Sequence, residues 1–289
     1  MYPARFGYEA PKSLDEALAL LAQHGDDAKI LAGGQSLVPM MKLRFAAPSV
    51  LIDINGVPGL GYHREDADGT LRVGALCRHA DLEHSDLLPG RHPTLAAVAP
   101  LVADPIVRNR GTLVGSLCHA DPQGDWASAL LALGGSVVVV GPHGHRTIPA
   151  AEFVVGTFEN ALAHGEIAVE AVVPPARGTR LGGYLKLERR VGDFATAGVA
   201  VALEMAGGTV GRAGIALTGV GPATIGVTEA ERVLTGSSLG TDVIAEAAEL
   251  AASAARPRTD HRGSERYKRH VVATFVRRLL SADRMPVAA

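Results

Sequence analysis

The stretch AKILAGGQS, residues 28–36, constrains the fold more than any other: an apolar, strand-like run is delivered into two adjacent glycines, then Gln35 and Ser36. Glycine lets the main chain approach a ligand closely, and consecutive amide N–H groups in a turn form a concavity suited to an anion, most often a phosphate. A second segment, Gly111, Thr112, Leu113, Val114, Gly115 and Ser116, combines glycine with hydroxyl side chains in the same way. Neither segment has the Lys-Ser/Thr of a Walker loop or the GxGxxG of a dinucleotide fold. In a chain with 34 glycines, ordinary tight turns are the alternative for either segment alone. A pyrophosphate shared between the two is the sharper hypothesis.

Around these segments the pattern is mixed. Ser13 followed by Glu16 is a capping box, and Leu14, Ala17, Leu18 and Leu21 recur at helical spacing until Gly25, which predicts a helix over 14–24. AKIL, VLIDI at 50–54 and LRVGAL at 71–76 read as strands, HPTLAAVAPLVADP as helical up to Pro105, and VVVV at 137–140 as a buried strand. RNRGTLVGSLCHADPQGD reads as a polar, glycine-punctuated stretch before a helix in DWASALLALGG. Beyond VVPPARG the texture changes to three strand-length runs, LGGYLKLERR, ATAGVAVALEM and TVGRAGIALTGV, which predict a three-stranded antiparallel meander. Helices follow in TEAERVL, DVIAEAAELAASAA and ERYKRHVVATFVRRLL. The domain boundary is placed near Pro175.

Composition excludes several classes. A net charge of -2 gives no electrostatic footprint for nucleic acid or an anionic membrane. Cys77 and Cys118 are the only cysteines, too few for a disulfide scaffold or for an iron–sulfur cluster, which takes four thiolates. Any cluster therefore sits on another chain. No segment reaches about 18 consecutive apolar residues and the amino terminus has no secretory pattern, so the expectation is a soluble cytoplasmic protein.

AGGQSLVPMMKLR followed by VLIDI, then RNRGTLVGSLCHADPQGDWASALLAL, resembles the FAD-binding medium subunit of the molybdenum hydroxylases, the carbon monoxide dehydrogenase and xanthine dehydrogenase family. The resemblance extends to LKLERRVGDFATAGVAVAL and GSERYKRHVVATFVRRLL, so it covers nearly the whole chain. It implies an α+β fold: a two-lobed FAD-binding domain of the vanillyl-alcohol oxidase (PCMH) type over 1–175, with lobes of about 1–57 and 58–175. A smaller carboxy-terminal domain over 176–289 completes it. It also implies that FAD pyrophosphate is held by Ala32, Gly33, Gly34, Gln35 and Ser36, flanked by Leu31 and Leu37, together with Thr112, Val114, Gly115 and Ser116. Asp125 matches a position that in relatives bonds the ribityl and ribose hydroxyls, and Asp121 lies nearby. Val114 departs from the family's T-I-G-G-S pattern: a β-branched residue tolerates positive φ badly and would carry bulk toward the phosphates.

Lys186, Arg189, Arg190, Asp193 and Phe194 fall in the segment that resembles the family's loop near the flavin ring, where a cation would favour reduced anionic flavin. Solvated charges at a strand end are the alternative. Of the scattered histidines, His119 is the one placed to stack on or hydrogen-bond a cofactor; no metal site is expected. The basic run RGSERYKRH begins a docked terminal helix with a solvated face.

The resemblance implies an oxidoreductase subunit whose FAD takes electrons from [2Fe-2S] centres of an iron–sulfur small subunit, beside a molybdopterin large subunit, and passes them to an external acceptor. No catalytic side chain is assigned. The alternatives are a stand-alone FAD-dependent oxidoreductase acting on a small organic molecule and a scaffold that has lost its flavin.

Overall fold

The computed structural model describes residues 2–281. Strands Gly7–Glu9, Val50–Asp53 and Ala28–Leu31 lie side by side in that order and run parallel. The helix Leu14–His24 packs on them through Ala17 and Leu21. Ser13 Oγ accepts the Glu16 N–H at 3.1 Å, and Gly25, at φ 59°, returns its N–H to the Leu21 carbonyl, so both predicted ends hold.

A second, antiparallel sheet of five strands has the order His63–Glu65, Leu71–Gly74, Ile167–Val173, Ser136–Gly141, Gly144–Pro149. Its central strands are almost continuously apolar because helices cover them. The run after His92 divides into the helix Pro93–Val98, a single turn at Ala99–Leu101, and a separate helix Pro105–Arg108 capped by Asp104. The helical run therefore stops at Leu101, short of the predicted end at Pro105, because Val102 is extended and Ala103 takes φ 47°; Pro105 then starts the next helix at its first position.

Beyond Pro175 the long strands Thr179–Leu187, Ala197–Ala206 and Thr209–Thr218 form the expected meander. The sheet has four strands rather than three, because Ile225–Gly226 pairs with the last of them. Two residues are too few to show a period of two in sequence.

This sheet is apolar on both faces. Tyr184, Ala200, Ala202 and Ala216 join the core shared with the second sheet, whereas Val199, Val201, Leu203, Ile215 and Leu217 face the helices Thr228–Leu234, Thr241–Ala254 and Glu265–Leu280. Alternate residues therefore serve different cores. Among the described residues no helix is long and apolar enough to cross a membrane.

Candidate functional site

The first glycine segment leaves the parallel sheet at Leu31 and enters the short helix Leu37–Lys42. Gly34 has φ 73°, a conformation that side chains rarely adopt. Among the described residues, the amides of Gly33, Gly34, Gln35, Ser36 and Leu37 reach no protein acceptor, while the next, Val38, bonds the Gly34 carbonyl at 3.0 Å. Ser36 precedes the helix with helical backbone and makes no capping bond, so its hydroxyl is uncommitted. The side chain of Gln35 folds back onto the Gly33 carbonyl at 3.4 Å.

The second segment is built differently. Thr112 caps the helix Leu113–His119, its Oγ1 accepting the Gly115 N–H at 3.0 Å. The expectation of strain at Val114 is overturned: the residue sits in the first helical turn and is 2% exposed, packed in the apolar core. A β-branched side chain is tolerated there, and its bulk goes to the interior. Gly115, Ser116 and His119 stay partly exposed.

The two segments meet. A Cβ added at Gly33 would overlap the Arg110 carbonyl oxygen and lie 2.7 Å from Gly111 Cα, so only glycine allows this approach. Gly111 in turn rests on the His79 ring, and His79 N–H donates to its carbonyl at 2.9 Å. Trp126 Nε1 donates to His79 Nδ1 at 3.0 Å, with the rings 5.8 Å apart and stacked. Burial first, then the Arg108 and Arg78 charges, push His79 down to about 4, so the ring is neutral at pH 7.

Two side chains that the sequence did not single out link the segments. Arg78 Nη1 donates to the Arg110 carbonyl at 2.7 Å and Nη2 to Asn55 Oδ1 at 2.5 Å. Asn55 Nδ2 donates to the Ala32 carbonyl at 2.8 Å. The only sequence signal was indirect: Asn55 closes the strand after the first glycine segment, and Arg78 opens the stretch that pairs with Thr112.

His119 Nε2 lies 4.0 Å from Asp121 Oδ2, its ring is 5.1 Å from Phe158, and burial lowers its pKa against the opposing pull of Asp121. Asp121 shapes its own turn by accepting the Gln123 N–H at 2.9 Å. Gln123 Nε2 donates to the Ala195 carbonyl at 3.0 Å, which brings the Asp193–Phe194 stretch alongside this turn. Asp193 accepts from Phe194 N–H and from Arg262, and the Phe194 ring is half-exposed.

Asp125 and Lys186 come together but face inward. Tyr184 donates to Asp125 Oδ1 at 2.7 Å and Lys186 Nζ to Oδ2 at 3.0 Å, with a second Lys186 bond to the Leu101 carbonyl at 2.9 Å. Burial raises the Asp125 carboxyl while the Lys186 ammonium opposes that rise. The expected positions of Asp125 among sugar hydroxyls and of Lys186 at a ring edge are not what this geometry displays. Each is spent on the other, because a buried charge needs a partner.

Residues 4–176 match the family described as the FAD binding domain in molybdopterin dehydrogenase. The chain belongs to the FAD-binding medium subunits of the molybdenum hydroxylases. Residues 183–282 match the CO dehydrogenase flavoprotein C-terminal domain. The carbon monoxide dehydrogenase medium chain of Hydrogenophaga pseudoflava is 44% identical over 98% of both chains. The 6-hydroxypseudooxynicotine dehydrogenase complex subunit alpha of Paenarthrobacter nicotinovorans is 40% identical over 97% of this chain and 95% of its own. The solved carbon monoxide dehydrogenase of H. pseudoflava that lacks the Mo-pyranopterin moiety superposes with a TM-score of 0.92 at 45% identity, covering 97% of each chain. For a medium subunit whose cofactor is FAD, the donor set fits a diphosphate: a run of unpaired amides, the free Ser36 hydroxyl and the neighbouring Arg78 cation.

Proposed function

We propose that this chain is the electron-transfer subunit of a molybdenum hydroxylase complex, receiving electrons from [2Fe-2S] clusters of a small subunit and passing them to an external acceptor. A molybdopterin large subunit completes the complex. FAD supplies the redox chemistry when bound. The single observation that carries the reading is the convergence of Gly33 on Arg110 and Gly111, which places the free amide run of the first segment beside the helix start of the second.

The chain's own residues bind and orient. Gly33, Gly34, Gln35, Ser36 and Leu37 direct amide N–H groups toward the diphosphate, Ser36 adds a hydroxyl, and Ser116 and Gly115 form the opposing edge. Leu31, Ala32, Thr112 and Val114 hold these groups in place from below. His119, Asp121, Asp193 and Phe194 line the approach to the flavin. Asp125 and Lys186 lock the helix Asp125–Ala132 to the strand Thr179–Leu187. The division into a PCMH-type domain over 1–175 and a carboxy-terminal domain over 176–289, and a cytoplasmic location, are part of the same proposal.

Two relatives whose names point to unlike substrates share this chain's length and sequence pattern. That fits a subunit that carries electrons while another recognises substrate. The test is co-expression with candidate small and large subunits, purification, and an absorption spectrum with the released cofactor identified by mass. The expected result is FAD on this chain, iron–sulfur bands only in the assembled complex, and flavin reduction by substrate only when all three chains are present. Flavin reduction by a small organic substrate with this chain alone would replace the proposal with a stand-alone oxidoreductase. A colourless, flavin-free chain would remove both.

A further inference from the structure

The two glycine segments offer a diphosphate neutral donors, and neither contains a cation. Arg78 stands at their junction. Its guanidinium bonds the Arg110 carbonyl of the second segment and, through Asn55, the Ala32 carbonyl of the first. Among the described residues no carboxylate lies within 4.0 Å of that guanidinium, although eleven other arginine or lysine side chains do have such a partner.

The nearby acids are committed elsewhere: Asp53 accepts from Tyr8 and Asn55, and Asp81 accepts the backbone N–H of Arg78. Burial first, then the neighbouring Arg110, act against the Arg78 charge, and the more distant Asp81 and Asp53 offset this only in part. A half-buried cation beside a second one, with no acid in contact, is a site where an anion relieves an electrostatic cost. The bonds to Asn55 Oδ1 and the Arg110 carbonyl account for two of five N–H groups.

Resting on the flavin reading above, we propose that Arg78 is the counter-charge of the FAD diphosphate and also the clip that keeps the two glycine segments together. The clip and the charge are separable. Lysine keeps the charge but cannot reproduce the two-pronged bond to Asn55 and Arg110, and glutamine keeps a donor without the charge.

The experiment is titration of the flavin-free full-length chain with FAD, followed by fluorescence quenching at low and high ionic strength. It is run for the wild type, Arg78→Gln and Arg78→Lys, with melting of each flavin-free protein alongside. Arg78→Gln is expected to bind FAD about tenfold more weakly at low salt, with the gap narrowing as salt rises because a charged contact is screened. Arg78→Lys should stay within about threefold of wild type with its salt dependence intact. Equal binding by wild type and Arg78→Gln overturns the proposal. So does an equal, salt-independent loss in both variants, which would leave Arg78 a clip alone. Should Arg78→Gln fail to fold, the lysine variant decides: loss of the wild-type salt dependence there overturns the counter-charge. A wild-type chain that binds no FAD at any salt instead brings down the flavin reading itself.

Discussion

The two glycine segments look alike in sequence and do different work. In the first, Gly33 to Leu37 present successive amides with no protein acceptor among the described residues. In the second, the Gly115 amide is already taken by Thr112 Oγ1, and Val114 is packed into the core. The first segment is a donor rail and the second is a wall, and the wall is what holds the rail in place. A glycine in sequence therefore carries two meanings here: Gly34 adopts a left-handed backbone, whereas Gly33 makes room for another stretch of main chain.

The largest test of that difference is Val114→Gly, which restores the glycine of the family's second-loop pattern. If the segment is a wall, the variant loses a buried side chain and gains a flexible residue inside a helix. The expected cost is about 3–4 kcal/mol of folding stability, read from urea unfolding, with no gain in FAD affinity. Tighter FAD binding by this variant would break the comparison and make the second segment a ligand turn after all.

The second test uses pH, because the wall stands on a buried histidine. His79 supports Gly111, accepts from Trp126 and is pushed down to about 4 by burial and by Arg108 and Arg78. Its folded pKa lies below the unfolded value of about 6.5, so as pH falls the unfolded chain takes up the proton first. Its contribution is complete above about pH 6.5, declines between there and about 4, and changes no further below that; the full loss is about 3 kcal/mol. His92, also lowered to about 4 by burial and by Arg180 despite its bond to Glu65, has the same sign. Unfolding midpoints measured from pH 7 to 4.5 should fall steeply for the wild type and less steeply for His79→Gln. Parallel curves for the two proteins would show that His79 does not supply this dependence.

Much of this fold was legible because it follows from periodicity. Ser13, Glu16 and Gly25 mark the ends of the first helix, and the alternation of Val199, Val201 and Leu203 with Ala200 and Ala202 marks a strand buried on both faces. The helix Leu113–His119 was missed because Gly115 and Ser116 interrupt its apolar pattern, although Thr112 was a readable cap. Asp125 and Lys186 were singled out as cofactor contacts, but the sequence does not say which way a side chain turns. They satisfy one another across strand and helix. Arg78 and Asn55 were invisible for a related reason: their bonds join residues 23 and 32 positions apart, and no local spacing encodes such a contact.

The smallest expected effect is the one most specific to the rail. In Gly33→Ala the added methyl meets the Arg110 carbonyl oxygen and Gly111 Cα, both main-chain atoms. Main chain cannot rotate away as a side-chain tip can, so the segments must part. Overpacking of this kind costs roughly 1–3 kcal/mol, and its weight falls on whatever depends on the spacing. Because Val114 and His79 stay packed, the fold should survive, and the loss should appear in FAD affinity: about 100-fold, or about 2.7 kcal/mol, in a titration of the flavin-free chain. Gly33→Ala with wild-type affinity would mean that the spacing of the two segments is not what the diphosphate reads. The rail would then act without its wall.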